Sequence, residues 1–321
     1  MVSFFKERSV PSVFAAVFVC IALHAFFLIQ PPTIVTSPSD GLMYYVLQPF
    51  VNLPAIALPV IYFAVVIVQA LRINNVLNET RMFAKTPFTA ALAYILLTAL
   101  WPAFNNITPA LLVNSLLIWV LFRIVKLYNT SQPKALIYNI GIISGAAALL
   151  YYPAMGIIPV VFIALGITRA FRINEWMVLL LGIITPLYFW GGYLFLTDQL
   201  DTVKIITSLF KWHVIPGPVK PIAIAFGAAG LLLLCGIVRR QGSGTALIQV
   251  RKIWAVLFCM LIFLLPAVFF IKNAWPNALL LACVPGAAVA ANAFLYPKGV
   301  VSVVLFWVMA AAIVYVNWLA V

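Results

Sequence analysis

The apolar residues of this chain come in runs of roughly twenty, separated by short polar stretches, and that spacing constrains its fold more than any other feature. An α-helix rises about 1.5 Å per residue, so a run of about 20 matches a hydrocarbon core about 30 Å thick. The runs are continuous rather than alternating, and in lipid every backbone polar group needs a partner within the chain, which selects helices over a β-barrel. Composition agrees: 66% of residues are hydrophobic and 8% charged, whereas soluble chains carry about a quarter charged residues. The expected fold class is all-α, a polytopic transmembrane helical bundle forming a single domain over residues 1–321.

The runs place spans at 11–30, 52–71, 88–104, 108–127, 136–152, 156–171, 176–196, 220–238, 253–271, 277–295 and 300–319. The first begins after a short basic segment holding Lys6 and Arg8. It is long for a signal peptide and ends in Gln30, Pro31 and Pro32 without a small-residue cleavage site, so a retained signal-anchor is expected. Eleven alternating spans from a cytoplasmic N-terminus put the C-terminus outside and 15 of the 19 Lys and Arg inside, leaving Lys204, Lys211, Lys220 and Lys272 outside. Basic loops on the cytoplasmic side are the recognised bias of membrane topology. The net charge of +13 is then accounted for by headgroup contacts of the inner leaflet, and nucleic acid is not an expected partner. Membrane lipid is, and membrane-protein partners fit a scaffold role.

Two outer loops exceed turn length, 31–50 and 197–219. The first holds Asp40 and Gly41 ahead of the aromatic stretch Met43 to Leu47. In the second, Leu200, Val203, Ile206 and Phe210 recur at helical spacing with Asp201, Lys204, Ser208 and Lys211 opposite, which predicts an interfacial helix over 197–211. Ala70-Leu71-Arg72-Ile73-Asn74 and Ala170-Phe171-Arg172-Ile173-Asn174 echo one another at the ends of spans 2 and 6, as the parallel repeats of transporters do and as common helix-end chemistry also does.

Ionisable residues within spans mark ion pathways, because a charge at the bilayer centre costs at least about 2.5 kcal/mol. The six acidic residues all fall in loops or at span ends, which disfavours an ion-coupled transporter. His24 and His213 are too far apart for a metal site, and Cys20, Cys235, Cys259 and Cys283 lie in apolar runs without metal-ligand spacing, so neither metal nor cofactor is expected. Walker, dinucleotide-binding and Gly-x-Ser-x-Gly sequences are lacking. Gly141 and Gly145 form a Gly-x-x-x-Gly pair suited to close helix packing.

What remains is Asp40 in the first outer loop and Lys204, Lys211, His213 and Lys220 in or beside the second. A carboxylate can take a proton from an acceptor hydroxyl while cations neutralise a departing phosphate. In layout this resembles the GT-C type membrane glycosyltransferases, which share a cytoplasmic N-terminus, eleven or more spans, an acidic residue after the first span and a large outer loop after the seventh. The resemblance implies Asp40 as catalytic base, Lys204, Lys211, His213 and Lys220 as substrate-binding residues, and a lipid-linked glycan on polyprenyl phosphate as substrate. The paired acidic motif usual in that family is missing. A carrier for lipids or small solutes, and a scaffold subunit of an envelope complex, are the alternatives. Ser3-Phe4-Phe5-Lys6, the stretch from Tyr138-Asn139-Ile140-Gly141 to Tyr151-Tyr152-Pro153, and Arg169 to Trp176 leading to Gly182 and Pro186 are similar to a Bacteroidetes family of multi-pass inner-membrane proteins of unknown function. That similarity implies a location and a fold class, and no reaction.

Overall fold

The computed structural model describes residues 5–6, 10–83, 86–128, 130–198, 219–241, 247–266, 275–295 and 299–319. Among them regular structure is helical, with one isolated bridge between Ile34 and Ile107. The main helices are α1 (Val10–Leu23), α2 (Ala57–Glu79), α3 (Thr89–Thr98), α4 (Pro109–Leu127), α5 (Pro133–Leu150), α6 (Ile157–Thr168), α7 (Ile173–Leu196), α8 (Val219–Gln241), α9 (Ile248–Leu264), α10 (Leu280–Leu295) and α11 (Gly299–Val314). Each of the apolar runs contains one of them. Among the described residues six helices, namely α2, α4, α5, α7, α10 extended back to Pro276, and α11 continued to Trp318, are long and apolar enough to cross a bilayer. The chain therefore has the make-up of a multi-pass membrane protein.

Helix starts follow local chemistry. Pro109 and Pro133 open α4 and α5, where a missing N–H costs nothing, and the Thr108 side chain caps α4 by accepting from the Leu111 amide. Several lengths differ from the hydropathy pattern, α1 among them, which stops at Leu23 ahead of a 3₁₀ turn at Ala25–Leu28 instead of running to Gln30. Helix α2 continues two turns past Leu71, because its Asn74 and Asn78 are buried in the bundle rather than released to water. Helix α3 has only ten residues, about 15 Å of rise, before Ala99 and a 3₁₀ turn at Pro102–Asn105 break the run. The pentapeptide echo is not a structural repeat: Ala70–Asn74 lies inside α2, whereas Arg169 and Arg172 stand in the corner between α6 and α7.

At the centre are α3, buried at every position, and α10, buried from Leu280 to Phe294. Both are rich in alanine, and small side chains let backbones approach closely in the absence of a water-driven force between helices. Gly236 of α8 packs directly on the Val289 carbonyl of α10, leaving no room for a side chain. A second close pair is α5 with α7. A Cβ on Gly141 would fall 2.6 Å from the Leu179 carbonyl oxygen, and one on Gly182 the same distance from that of Tyr138. The exposed large apolar residues lie mostly on α1, α2, α7, α8 and α11.

Inter-loop bonds sort the connections into two ends. At one, the α1–α2 loop bonds the α3–α4 loop (Val35 N–H to Ile107 O, 3.1 Å) and the end of α5 (Leu42 N–H to Leu149 O, 3.1 Å). At the other, Phe88 before α3 bonds Phe5 (2.7 Å). There Arg169, paired with Glu175 at 2.9 Å, also donates to the carbonyl of Leu127, the last residue of α4, and to that of Thr130. Lys252 in α9 reaches the Thr168 carbonyl at this same end. Among the described residues, the loops after α1 and α3 and the end of α5 thus meet at one end, and the segments around Phe5, Phe88, Thr130, Arg169 and Lys252 lie at the other. We refer to these as the Asp40 end and the basic end.

Candidate functional site

Asp40 closes a 3₁₀ turn, Pro38–Asp40, that is built like a helix start. The Ser37 N–H donates to Asp40 Oδ2 (2.7 Å), the Asp40 N–H to the Ser37 carbonyl (2.9 Å), and the Ser39 N–H to Ser37 Oγ (3.4 Å). The residue is 4% exposed. Burial pushes its carboxyl up from the usual 3.8 to about 6, against the Ser37 amide, which favours the charged form. Gly41 follows at φ 115°, where a Cβ would also meet the Leu149 and Leu150 carbonyls at 2.7 and 2.8 Å. The turn packs on Tyr152–Gly156, and the buried Tyr151 hydroxyl, close enough to feel the Asp40 charge, has no hydrogen-bond partner among the described residues. Chemically this is a sheltered carboxyl able to exchange a proton near neutral pH.

Lys204, Lys211 and His213 lie outside the described residues, as does the expected interfacial helix from residue 199 onward. Lys220 is described only as a backbone position in the first turn of α8. Their placement around Asp40 thus remains an expectation of the sequence. His24 serves a local purpose. Its Nδ1–H donates to the Cys20 carbonyl (2.8 Å), and Nε2 lies 3.2 Å from the Tyr62 hydroxyl, which itself reaches the Phe104 carbonyl. Beside it Asn105 donates to Asn317 Oδ1 (2.7 Å), and Asn317 to the Ala99 carbonyl (3.1 Å). This knot ties α1, α2, the α3–α4 loop and the chain end together.

The feature that sequence reasoning missed is an apolar cavity of about 240 Å³ in the half of the bundle toward the Asp40 end. Leu97, Trp101 and Phe104 wall it from α3 and its following turn, Ala229 and Leu233 from α8, and Gly286 from α10, with Leu261 of α9 opposite. Small residues four apart, Ala225 with Ala229 and Ala282 with Gly286, create the space by withdrawing side chains from facing helices. Phe226 and Leu265, 43% and 42% exposed, stand at the rim, so the cavity communicates with the outer surface of the bundle. An apolar cavity of about 150 Å³ stays dry and takes up benzene. This larger one suits a stretch of hydrocarbon chain. Its signal in the sequence was the pair of small-residue spacings, which read equally well as helix packing.

Among the described residues no group of three or more His, Cys, Asp or Glu is placed to hold a metal ion. No protein-family model, curated protein or solved structure matches this chain.

Proposed function

We propose that this is an inner-membrane protein that crosses the bilayer eleven times, with its N-terminus in the cytoplasm and the Asp40 end outside, and that it handles a lipid whose apolar chain enters the cavity between α3, α8, α9 and α10. The observation that carries the reading is the cavity itself, apolar and open at the bundle surface. The two-ended sorting of the loops supports alternate crossing, and the Lys and Arg of the basic end support the orientation. The lipid class we favour is a polyprenyl-phosphate-linked glycan. Its chain would occupy the cavity, its phosphate would meet Lys204, Lys211, His213 and Lys220, and Asp40 would act as base on the acceptor hydroxyl, as the GT-C layout implies.

The test is photolabelling in proteoliposomes with a polyprenyl phosphate that carries a diazirine on its chain. Label should concentrate in Ala225 to Leu233 and Leu279 to Gly286. Gly286→Trp should fill the cavity, since the nearest atom to a side chain starting there is Leu97 Cδ1 at 3.5 Å, and should lower that label about tenfold, the equivalent of about 1.4 kcal/mol. Val308→Trp on the exposed face of α11 should leave it unchanged. Label spread evenly over the exposed faces of α2, α7 and α11 would overturn the reading.

A further inference from the structure

A second cavity, of about 350 Å³, lies between α2 and α4 on the basic half of the bundle, remote in the fold from the one above. Its upper wall is apolar, with Val68 55% and Trp119 46% exposed at the bundle surface. Its floor is a closed polar network. Gln69 donates to the Leu111 carbonyl (2.6 Å) and to Ser115 Oγ (2.8 Å), and accepts from the Tyr94 hydroxyl (2.7 Å), which in turn accepts from Asn114 (3.3 Å). With its partners supplied, Gln69 fixes the wall and asks nothing of a ligand.

The lower wall differs. Arg72, Asn75 and Glu79 project from one face of α2 into the same cavity, and neither Arg72 nor Glu79 makes a hydrogen bond or ion pair with a described residue. Seven residues separate the two charges, about 10 Å along the helix axis, beyond the three- or four-residue spacing at which helical ion pairs close. Both side chains are exposed toward the helix end, and a single ligand that meets the two of them must bring both signs. A protein carboxylate would satisfy Arg72 and repel Glu79. A lipid phosphate with no amine would do the same.

We propose that this groove binds the headgroup of a zwitterionic phospholipid bearing a primary amine, phosphatidylethanolamine in chemistry. The phosphate accepts from the Arg72 guanidinium and the Asn75 amide, the ammonium donates to Glu79, and the acyl chains rise along Val68, Leu116 and Trp119. The gradient of the groove, charged toward the helix end and apolar toward the bilayer centre, is the gradient of such a lipid.

The test is native mass spectrometry of the full chain, delipidated in detergent and offered phosphatidylethanolamine, phosphatidylglycerol and phosphatidylcholine with identical acyl chains. The wild-type protein should retain one phosphatidylethanolamine about tenfold more than either competitor, because charge-assisted bonds are the strong ones. The glycerol headgroup lacks the cation, and the quaternary choline cannot donate to Glu79. Glu79→Gln should erase the preference over phosphatidylglycerol, and Arg72→Gln should bring all three lipids to background. Equal retention of the three by the wild-type protein, which needs no variant, would overturn the proposal. So would retention of no phospholipid, the result expected if a protein helix covers the groove, or an unchanged preference in Glu79→Gln.

Discussion

Asp40 shows how one residue can serve a turn and still be available for chemistry. Its Oδ2 holds the Ser37 amide, and its burial raises its proton affinity, so its charged form is disfavoured in the fold. The folded-state value of about 6 lies above the ordinary 3.8, so the folded protein binds more protons than the unfolded one between those values. Stability from this group is fully present below about pH 4 and lost as pH rises through 6. Asn can keep the cap without the charge. Thermal unfolding in detergent should therefore show Asp40→Asn gaining on the wild-type protein as pH is raised from 5 to 7.5, and a constant difference would refute the assignment. Asp40→Ala, which strands the Ser37 amide, should cost about 1 kcal/mol. For the transfer reaction, Asp40→Asn should abolish movement of sugar from a polyprenyl-phosphate donor while cavity photolabelling persists. Full activity would leave Asp40 as a turn residue in a lipid carrier.

At the scale of elements, the close pairing of α5 and α7 depends on the absence of side chains at Gly141, Gly145 and Gly182. The neighbours a Cβ would strike there include backbone carbonyls of Leu179, Ile183 and Tyr138, which cannot swing aside as a side chain would. Gly141→Ala should force the helices apart and lower stability by about 1–3 kcal/mol, read as a fall in the midpoint of thermal unfolding. Gly191→Ala on α7, where nothing lies within 4 Å, is the control and should not fall. The same pair explains how α7, with its exposed Tyr188, Phe189 and Tyr193, can stand at the periphery: its hold on the bundle is concentrated along one glycine-lined face. Helix α3 is the opposite case, too short to cross alone and held from all sides.

For the whole molecule, loop sorting and charge lead to one topological expectation. Reporter fusions near Glu79, Lys134, Arg172, Gln241 and Lys298 should report the cytoplasm, and those near Asp40, Lys204 and Lys272 the outside. A cytoplasmic signal at Lys204 would break the map from the seventh helix onward. The described core closes around α3 and α10, with the Gln69–Tyr94–Asn114 network buried inside it. One polar knot, His24 with Tyr62 and Asn105 with Asn317, pins the α3–α4 loop at the Asp40 end.

Helical class and the position of each apolar run followed from the sequence alone, because in lipid the backbone must bond to itself and a run of about twenty apolar residues has few other uses. The glycine pair at 141 and 145 was legible for the same reason, as local spacing. Helix ends were less so: Asn74 and Asn78 look like the end of a span until the bundle is seen to bury them. Both cavities were invisible, since each is walled by helices distant in sequence, and an alanine or glycine that leaves a void has the same spelling as one that lets helices touch. Only the tertiary structure decides between those outcomes. It turns Gly236 into a contact and Gly286 into an opening, and it sets Arg72 and Glu79 in one groove with no partner among the described residues.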